Sequence, residues 1–178
     1  IPLDMEVEEG SILSIDCGVL MNGFYGDSAY TFPVGHISKE KQRLLDVTKQ
    51  ALDEGVLVAT CGNTVGDIGY AIQEHAESNG YSIVKELVGH GIGKDLHEAP
   101  EIPNYGKKGG GLRLEEGMVL AVEPMVNIGS ETVLQKDDGW TIETKDGSPS
   151  AHFEYTIAIK KNKTEILSSF KLIEDVLS

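Results

Sequence analysis

The sequence predicts an α+β fold in which antiparallel strands accompany two consecutive helices. An Asn-Gly pair near the start lies between two runs rich in β-forming residues. Two patterns with helical periodicity follow it, separated by a short break. The second half returns to short apolar runs bounded by glycine-containing turns. Strands that flank a helical block, rather than alternating with single helices, are typical of the α+β class.

The first strand pair is predicted around Asn22-Gly23. A type I′ turn needs positive φ at both central residues, and Asn and Gly adopt such angles most readily. The resulting pairing places Asp16 opposite Ala29. Because side chains alternate along a strand, Asp16 and Asp27 become diagonal neighbours on one face, about 7–8 Å apart at the backbone. Taken alone, such a pair is also compatible with two solvated acids.

Two helices are predicted after the hairpin. Ser38 is a suitable N-cap for a helix over Lys39–Val58, whose apolar residues recur at helical spacing. Thr64, with Asp67 three residues later, predicts a capping box at the start of the second helix. Gly80 is expected to end that helix as a C′ glycine.

The second half of the chain is predicted to be mainly strand. Extended segments are expected at residues 81–88, 118–122 and 152–159. Residues 164–178 are expected to form a further strand or a short helix. Gly89-His90-Gly91 is expected to be a loop whose glycines let other groups approach the imidazole closely.

Composition excludes several classes of protein. The net charge of the 178 residues is −14, which argues against DNA or an anionic membrane surface as a partner. Cys17 and Cys61 give no disulfide framework, so a reducing, cytoplasmic location is expected. Cys17 is expected to be a small buried residue. No apolar run approaches the roughly 20 residues that a membrane span needs.

Four acidic residues lie in strand-like segments with apolar neighbours. A buried carboxylate is costly unless it is paired or bound to a metal. With one neutral imidazole, four carboxylates carry a charge that two divalent cations would neutralise. Oxygen-rich ligands of this kind suit Mn, Fe, Co or Zn and a hydrolytic two-metal site. The residues are Asp16, Asp27, His90, Glu123 and Glu154.

Seven short motifs occur in order along the chain: Ser14-Ile15-Asp16, Gly26-Asp27-Ser28, Gly89-His90-Gly91-Ile92-Gly93, Leu96-His97-Glu98-Ala99-Pro100, Glu123-Pro124-Met125, Asp138-Gly139-Trp140-Thr141 and Phe153-Glu154-Tyr155-Thr156. As a set they resemble the motifs of type I methionine aminopeptidases, in the pita-bread metallopeptidase family. The resemblance implies a curved antiparallel sheet covered by helices. It also implies that residues 1–178 are a catalytic domain lacking its N-terminal portion.

The resemblance implies a role for each predicted ligand. Asp16 would chelate one metal ion, and His90 and Glu123 would hold the other. Asp27 and Glu154 would bridge the two ions, with a water or hydroxide between them.

It likewise implies which residues face the substrate. His97 would bind the scissile carbonyl or the oxyanion, and Glu123 would also shuttle a proton. Trp140 and Leu96 would line the pocket for the methionine side chain. Considered without the resemblance, Trp140 would be read as an ordinary core residue.

The start of the chain departs from the family pattern. Family members carry a further segment with a histidine in a His-Gly-Ile-Pro stretch, whereas this chain begins at Ile1-Pro2. We therefore expect a fragment that retains its metal ligands but is a poor peptidase as it stands.

The function implied is metal-dependent removal of the N-terminal methionine from nascent proteins and peptides. Peptides with an N-terminal Met, and the ribosome, are the expected partners, and the full-length parent is expected to be a monomer. One alternative is an X-Pro aminopeptidase or dipeptidase of the same fold, against which Trp140 and the short loops count. Another is a non-catalytic peptide-binding module, but such relatives typically lose metal ligands, and all five are present here.

Overall fold

The computed structural model describes residue 4 and residues 6–177. Ile1 and Pro2, which carry the predicted departure from the family pattern, lie outside the described residues. The helices are α1 (Lys39–Val58), α2 (Val65–Ser78) and α3 (Lys171–Leu177). The strands of the first half are β1 (Ile12–Asp16), β2 (Val19–Met21), β3 (Phe24–Gly26), β4 (Ala29–Pro33), β5 (Ser82–Ile83), β6 (Gly89–Gly91) and β7 (Glu98–Ile102). Those of the second half are β8 (Val119–Val122), β9 (Met125–Asn127), β10 (Val133–Gln135), β11 (Ile142–Thr144), β12 (Ser150–His152), β13 (Tyr155–Ile159) and β14 (Thr164–Ile166).

The strands form one five-stranded antiparallel sheet and several smaller ones. The large sheet has the order β14-β13-β8-β6-β7, and a three-stranded sheet has the order β12-β9-β5. The pairs β1-β4, β2-β3 and β10-β11 complete the described strands. Helices α1 and α2 pack together, and their apolar faces share one core with the central strands. Members of this core with no exposed surface include Leu44, Leu52, Ile68, Ile72 and Ile157.

The predicted hairpin geometry is confirmed. Asn22 has a φ of 53° and Gly23 a φ of 81°, as a type I′ turn requires. Asp16 lies opposite Ala29 in the β1-β4 pair. The burial predicted for Cys17 is wrong, because Cys17 is exposed, as are residues 13–16 before it in β1.

Both long helices begin where their caps predict. The Ser38 hydroxyl accepts the Lys41 N–H, and Thr64 and Asp67 form a reciprocal capping box. These contacts satisfy N–H groups that have no partner within the first turn of a helix. Gly80 has a φ of 86° and follows α2, as predicted for a C′ glycine.

The second half of the chain differs from prediction in four ways. Residues 152–159 do not form one strand, because β12 and β13 pair with different sheets and the chain changes sheet between them. His90 lies inside the short strand β6 rather than in a loop. The segment over residues 81–88 contains only the two-residue strand β5. Residues 164–177 form both a strand and a helix, β14 and α3.

Candidate metal centre

Three of the predicted ligands converge on one point of the structure. One ligand atom from each of Asp27, His90 and Glu154 lies within 4.8 Å of the others. Asp27 precedes β4, His90 is the middle residue of β6, and Glu154 lies between β12 and β13. The three residues are 7%, 8% and 1% exposed, respectively. Buried carboxylates gathered around an imidazole are a donor set suited to a divalent cation.

Glu123 extends this cluster. It follows β8 directly, is buried, and places Oε1 3.5 Å from the Nε2 atom of His90. Asp16 ends β1 and is exposed as a residue. Partial burial of its carboxyl group and the neighbouring charge of Asp27 nevertheless raise the pKa of Asp16. The charge of Glu123 acts on Asp16 in the same direction, so the carboxylates share one electrostatic environment.

Glu154 gives the clearest indication that these residues fit a cation. Both of its carboxylate oxygens are buried and lack a hydrogen-bond partner among the described residues. Burial, followed by the charges of Glu123 and Asp27, raises the pKa of Glu154 to about 10. An ionised carboxylate in this position is costly unless a cation accompanies it. This group of buried carboxylates is therefore better suited to binding a metal ion than to standing without one.

His90 is held in the orientation that a metal ligand needs. Its Nδ1 atom lies 2.9 Å from the carbonyl oxygen of Gly91. A carbonyl only accepts, so Nδ1 carries the hydrogen and donates it. The lone pair of Nε2 is then free for a cation.

The glycines beside His90 allow this arrangement. A Cβ atom at Gly89 would lie 2.3 Å from the carbonyl oxygen of Ala121. A Cβ atom at Gly91 would lie 2.2 Å from the carbonyl oxygen of Ala99. Side chains at either position would push β6 away from its neighbours. The glycines therefore let neighbouring backbone approach β6 closely on both sides of His90, within a sheet rather than in a loop.

Two threonines hold the segments that carry Asp27 and Glu154 against each other. The Thr156 hydroxyl accepts the N–H of Asp27 at 2.9 Å and donates to its carbonyl at 2.7 Å. Thr31 makes the same two contacts with His152, at 3.0 Å and 2.7 Å. Midway between these contacts, the N–H of Glu154 donates to the carbonyl of Ala29 at 2.8 Å. We call this arrangement the threonine clasp.

The predicted substrate residues are placed at different depths. The exposed His97 lies against His90, with ring centroids 4.4 Å apart, and both line a cleft of about 430 Å³. Leu96 is half-buried beside Gly18, where a Cβ atom would lie 3.1 Å from Leu96 Cδ1. Trp140 lies between β10 and β11 and is 74% exposed, so it is not a core residue.

His152 is a site residue that sequence reasoning missed. Its Nε2 atom lies 3.3 Å from Oε2 of Glu123. A usable signal was present, because His152 is two residues before Glu154, and such residues share a face of an extended chain.

Comparisons with known proteins identify the family of the chain. The sequence profile of metallopeptidase family M24 matches residues 1–161. A methionine aminopeptidase of Clostridium perfringens is 50% identical over 170 residues, which are 96% of this chain and 68% of that protein. The crystal structure of methionine aminopeptidase from Rickettsia prowazekii superimposes with a TM-score of 0.92 at 46% identity. It is matched over 93% of this chain and 67% of that one.

A more distant structure shows only the shared fold. The prolidase from Pyrococcus horikoshii superimposes with a TM-score of 0.75 at 24% identity, over 94% of this chain and 42% of that one. The chain spans about two thirds of the length of the methionine aminopeptidases it matches.

The chain belongs to metallopeptidase family M24, whose members bind divalent metal. The expected pita-bread fold and hydrolase class are confirmed. Within that family its relatives at about half identity are methionine aminopeptidases, as the motifs predicted. Aminopeptidase relatives imply peptide or protein substrates. In the described part of the chain, no helix combines the length and apolar character required to cross a membrane.

Proposed function

We propose that the protein removes the N-terminal methionine from nascent proteins and peptides in the cytoplasm. The observation that carries this proposal is the convergence of Asp27, His90 and Glu154, with both Glu154 oxygens buried and unpartnered among the described residues. Close identity to methionine aminopeptidases supports the choice of substrate. We further propose that residues 1–178 belong to a single catalytic domain, that the protein works as a monomer, and that ribosomes present its substrates.

The site is proposed to hold two divalent ions drawn from Co, Mn, Fe or Zn. Asp16 would bind one ion, His90 and Glu123 the other, and Asp27 and Glu154 would contact both. The crowding of four carboxylates supports two cations, since one would leave a larger uncompensated charge. Ions in such a site lower the pKa of bound water and polarise the scissile carbonyl.

Four side chains would bind the substrate or transfer protons in the reaction. His97 stands exposed in the cleft beside His90, where it would donate a hydrogen bond to the substrate carbonyl as negative charge develops there. Glu123 would accept a proton from the attacking water and return it to the leaving amine. Leu96 and the exposed Trp140 would contact the methionine side chain, excluding water from it.

The test combines metal analysis with a peptide assay. We expect the full-length protein to bind divalent metal and to release methionine from a Met-Ala-Ser peptide, and residues 1–178 alone to bind metal but to cleave this peptide poorly. We expect little cleavage of a control peptide whose first peptide bond is an X-Pro bond. Preference for the X-Pro peptide would show the alternative activity. Failure of the metal-loaded full-length protein to cleave either peptide would contradict the proposal.

A further inference from the structure

We propose that His152 is a positioning residue of the metal centre, donating a hydrogen bond from Nε2 to Oε2 of Glu123 without binding metal itself. This inference rests on the proposed function, because it takes Glu123 to be a metal ligand. It concerns how that ligand is held, and it assigns a role to a buried imidazole that the expected ligand set leaves unused.

The position of the His152 ring supports a donor role. Its Nε2 atom is buried and has no hydrogen bond among the described residues, while Glu123 Oε2 lies 3.3 Å away. The side chains of His152 and Glu123 are only 15% and 10% exposed, so water cannot easily replace either partner. A small rotation of the imidazole would turn this contact into a hydrogen bond.

The chemistry of the two atoms fixes which one donates. An ionised carboxylate has no hydrogen to give, so a lone pair on Nε2 would face a lone pair on Oε2. Carrying the hydrogen on Nε2 converts this repulsion into a charge-assisted hydrogen bond. The proposed hydrogen bond therefore uses the Nε2–H form of His152, the reverse of the form that the Gly91 carbonyl favours for His90.

The two oxygens of Glu123 face different histidines. Oε1 lies 3.5 Å from His90 Nε2, and Oε2 lies 3.3 Å from His152 Nε2. Nε2 of His90 and Oε1 of Glu123 would therefore be the pair of atoms available to hold a cation. Donation from His152 to Oε2 would fix the orientation of the Glu123 carboxylate.

The backbone of His152 is held by hydrogen bonds to protein groups alone. Its N–H and carbonyl both bond the Thr31 hydroxyl, and Thr31 has no exposed surface. The Ser14 hydroxyl lies 2.8 Å from the Thr31 hydroxyl and supplies a further hydrogen bond to it. A ring attached to so constrained a backbone is suited to positioning another side chain.

The first test locates the hydrogen without changing the protein. Two samples with nitrogen-15-labelled histidines are compared, one metal-free and one loaded with Zn²⁺. Long-range proton–nitrogen correlation spectra report which ring nitrogen is protonated in each. We expect Nε2 of His152 to carry hydrogen in both. An unprotonated Nε2 of His152 in either sample would overturn the proposal.

The second test measures metal affinity in matched variants. We expect His152→Leu to weaken Co²⁺ binding by about 10–100-fold, the usual effect of losing such a partner of a ligand. His152→Gln keeps an N–H donor and should recover most of that affinity, with an unchanged Co²⁺ absorption spectrum. His36→Leu, at an exposed histidine between β4 and α1, is the control.

The outcomes separate this inference from the proposed function. Equal Co²⁺ affinity in the His152→Leu variant and the unmodified protein would overturn the positioning role alone. Failure of His152→Gln to recover affinity, with an altered Co²⁺ spectrum, would make His152 a direct ligand and would also overturn it. Absence of Co²⁺ binding to the unmodified protein would contradict both proposals. Thermal unfolding of the metal-free variants checks that each is folded.

Discussion

The helical side of the molecule, which contains α1 and α2, and the metal side, around Glu154, differ in whether their polar groups have partners. At the start of α2, Thr64 and Asp67 satisfy each other's backbone and side-chain groups. Around Glu154, a carboxylate is buried without a hydrogen bond among the described residues. Polar groups whose hydrogen bonds are all made within the protein stabilise the fold. Buried carboxylates without a hydrogen-bond partner identify the region suited to a cation.

Replacing Glu154 should produce the largest functional effect with little effect on stability. Glu154→Gln removes the charge but keeps the shape, so we expect tight binding of Mn²⁺ to be abolished. The free energy of unfolding of the metal-free protein should change by no more than about 1 kcal/mol, because burial raises the pKa of Glu154 to about 10 and the side chain is then uncharged without metal, as Gln is. Calorimetric titration and urea unfolding measure the two quantities.

Glu165→Gln is the control for this substitution. Glu165 forms an exposed ion pair with Lys160 at 3.7 Å, and we expect neither quantity to change. Retention of tight Mn²⁺ binding by Glu154→Gln would show that the comparison between the two sides is mistaken.

His97→Ala should reduce turnover while metal content stays the same. His97 is expected to stabilise developing charge on the substrate, and loss of such a donor typically costs roughly 10²–10³ in kcat. His75, in α2 on the helical side, provides a matched control, and His75→Ala should leave kcat unchanged. Steady-state kinetics at full metal occupancy measure both. Unchanged turnover in His97→Ala would remove His97 from the mechanism.

Ile68→Ala should show the reverse pattern, a loss of stability without a loss of metal affinity. Ile68 has no exposed surface, and truncating such a residue to Ala costs about 2–5 kcal/mol. Leu57, which is 72% exposed on α1, is the control, and Leu57→Ala should change the free energy of unfolding by less than about 0.5 kcal/mol. A marked fall in Mn²⁺ affinity of folded Ile68→Ala would mean that the two sides are coupled.

Thr64→Ala should have the smallest effect of the four. It removes the capping hydroxyl of α2, which typically costs about 0.5–2 kcal/mol. Thr64→Ser keeps a hydroxyl and should restore most of the stability. Denaturant unfolding compares the three proteins, and equal destabilisation by Ser and Ala would argue that the methyl group, not the hydroxyl, matters.

Local chemistry explains why some elements were predictable from sequence. Ser38 and Thr64 define helix starts through contacts within one turn, and Asn22-Gly23 defines a turn through its own φ angles. These signals depend on neighbours in sequence, so sequence alone contains them. The acids at Asp27, Glu123 and Glu154 were recognisable because charge among apolar residues is costly, and the structure buries all three.

Elements that depend on distant partners were harder to predict. Residues 152–159 are continuously β-forming, yet the Glu154 N–H bonds Ala29 and the chain passes from one sheet to another. Only knowledge of that partner would have revealed the break. His152 was overlooked because its significance comes from Glu123, a residue far away in the chain. Cys17 was wrongly expected to be buried because alternation does not show whether a face of the strand is covered, and residues 13–16 of β1 are exposed on both faces.

The threonine clasp bears on how the protein acquires its metal. The hydrogen bonds from Thr31 and Thr156 are made by neutral groups, and they join the segments of Asp27 and Glu154 without any ion. Segments held by the threonine clasp would not need to refold when one ion replaces another. Because affinities for divalent ions of this series differ by element, occupancy would then follow which metal the cell supplies. Exchange would be limited by passage through the cleft rather than by assembly of the site.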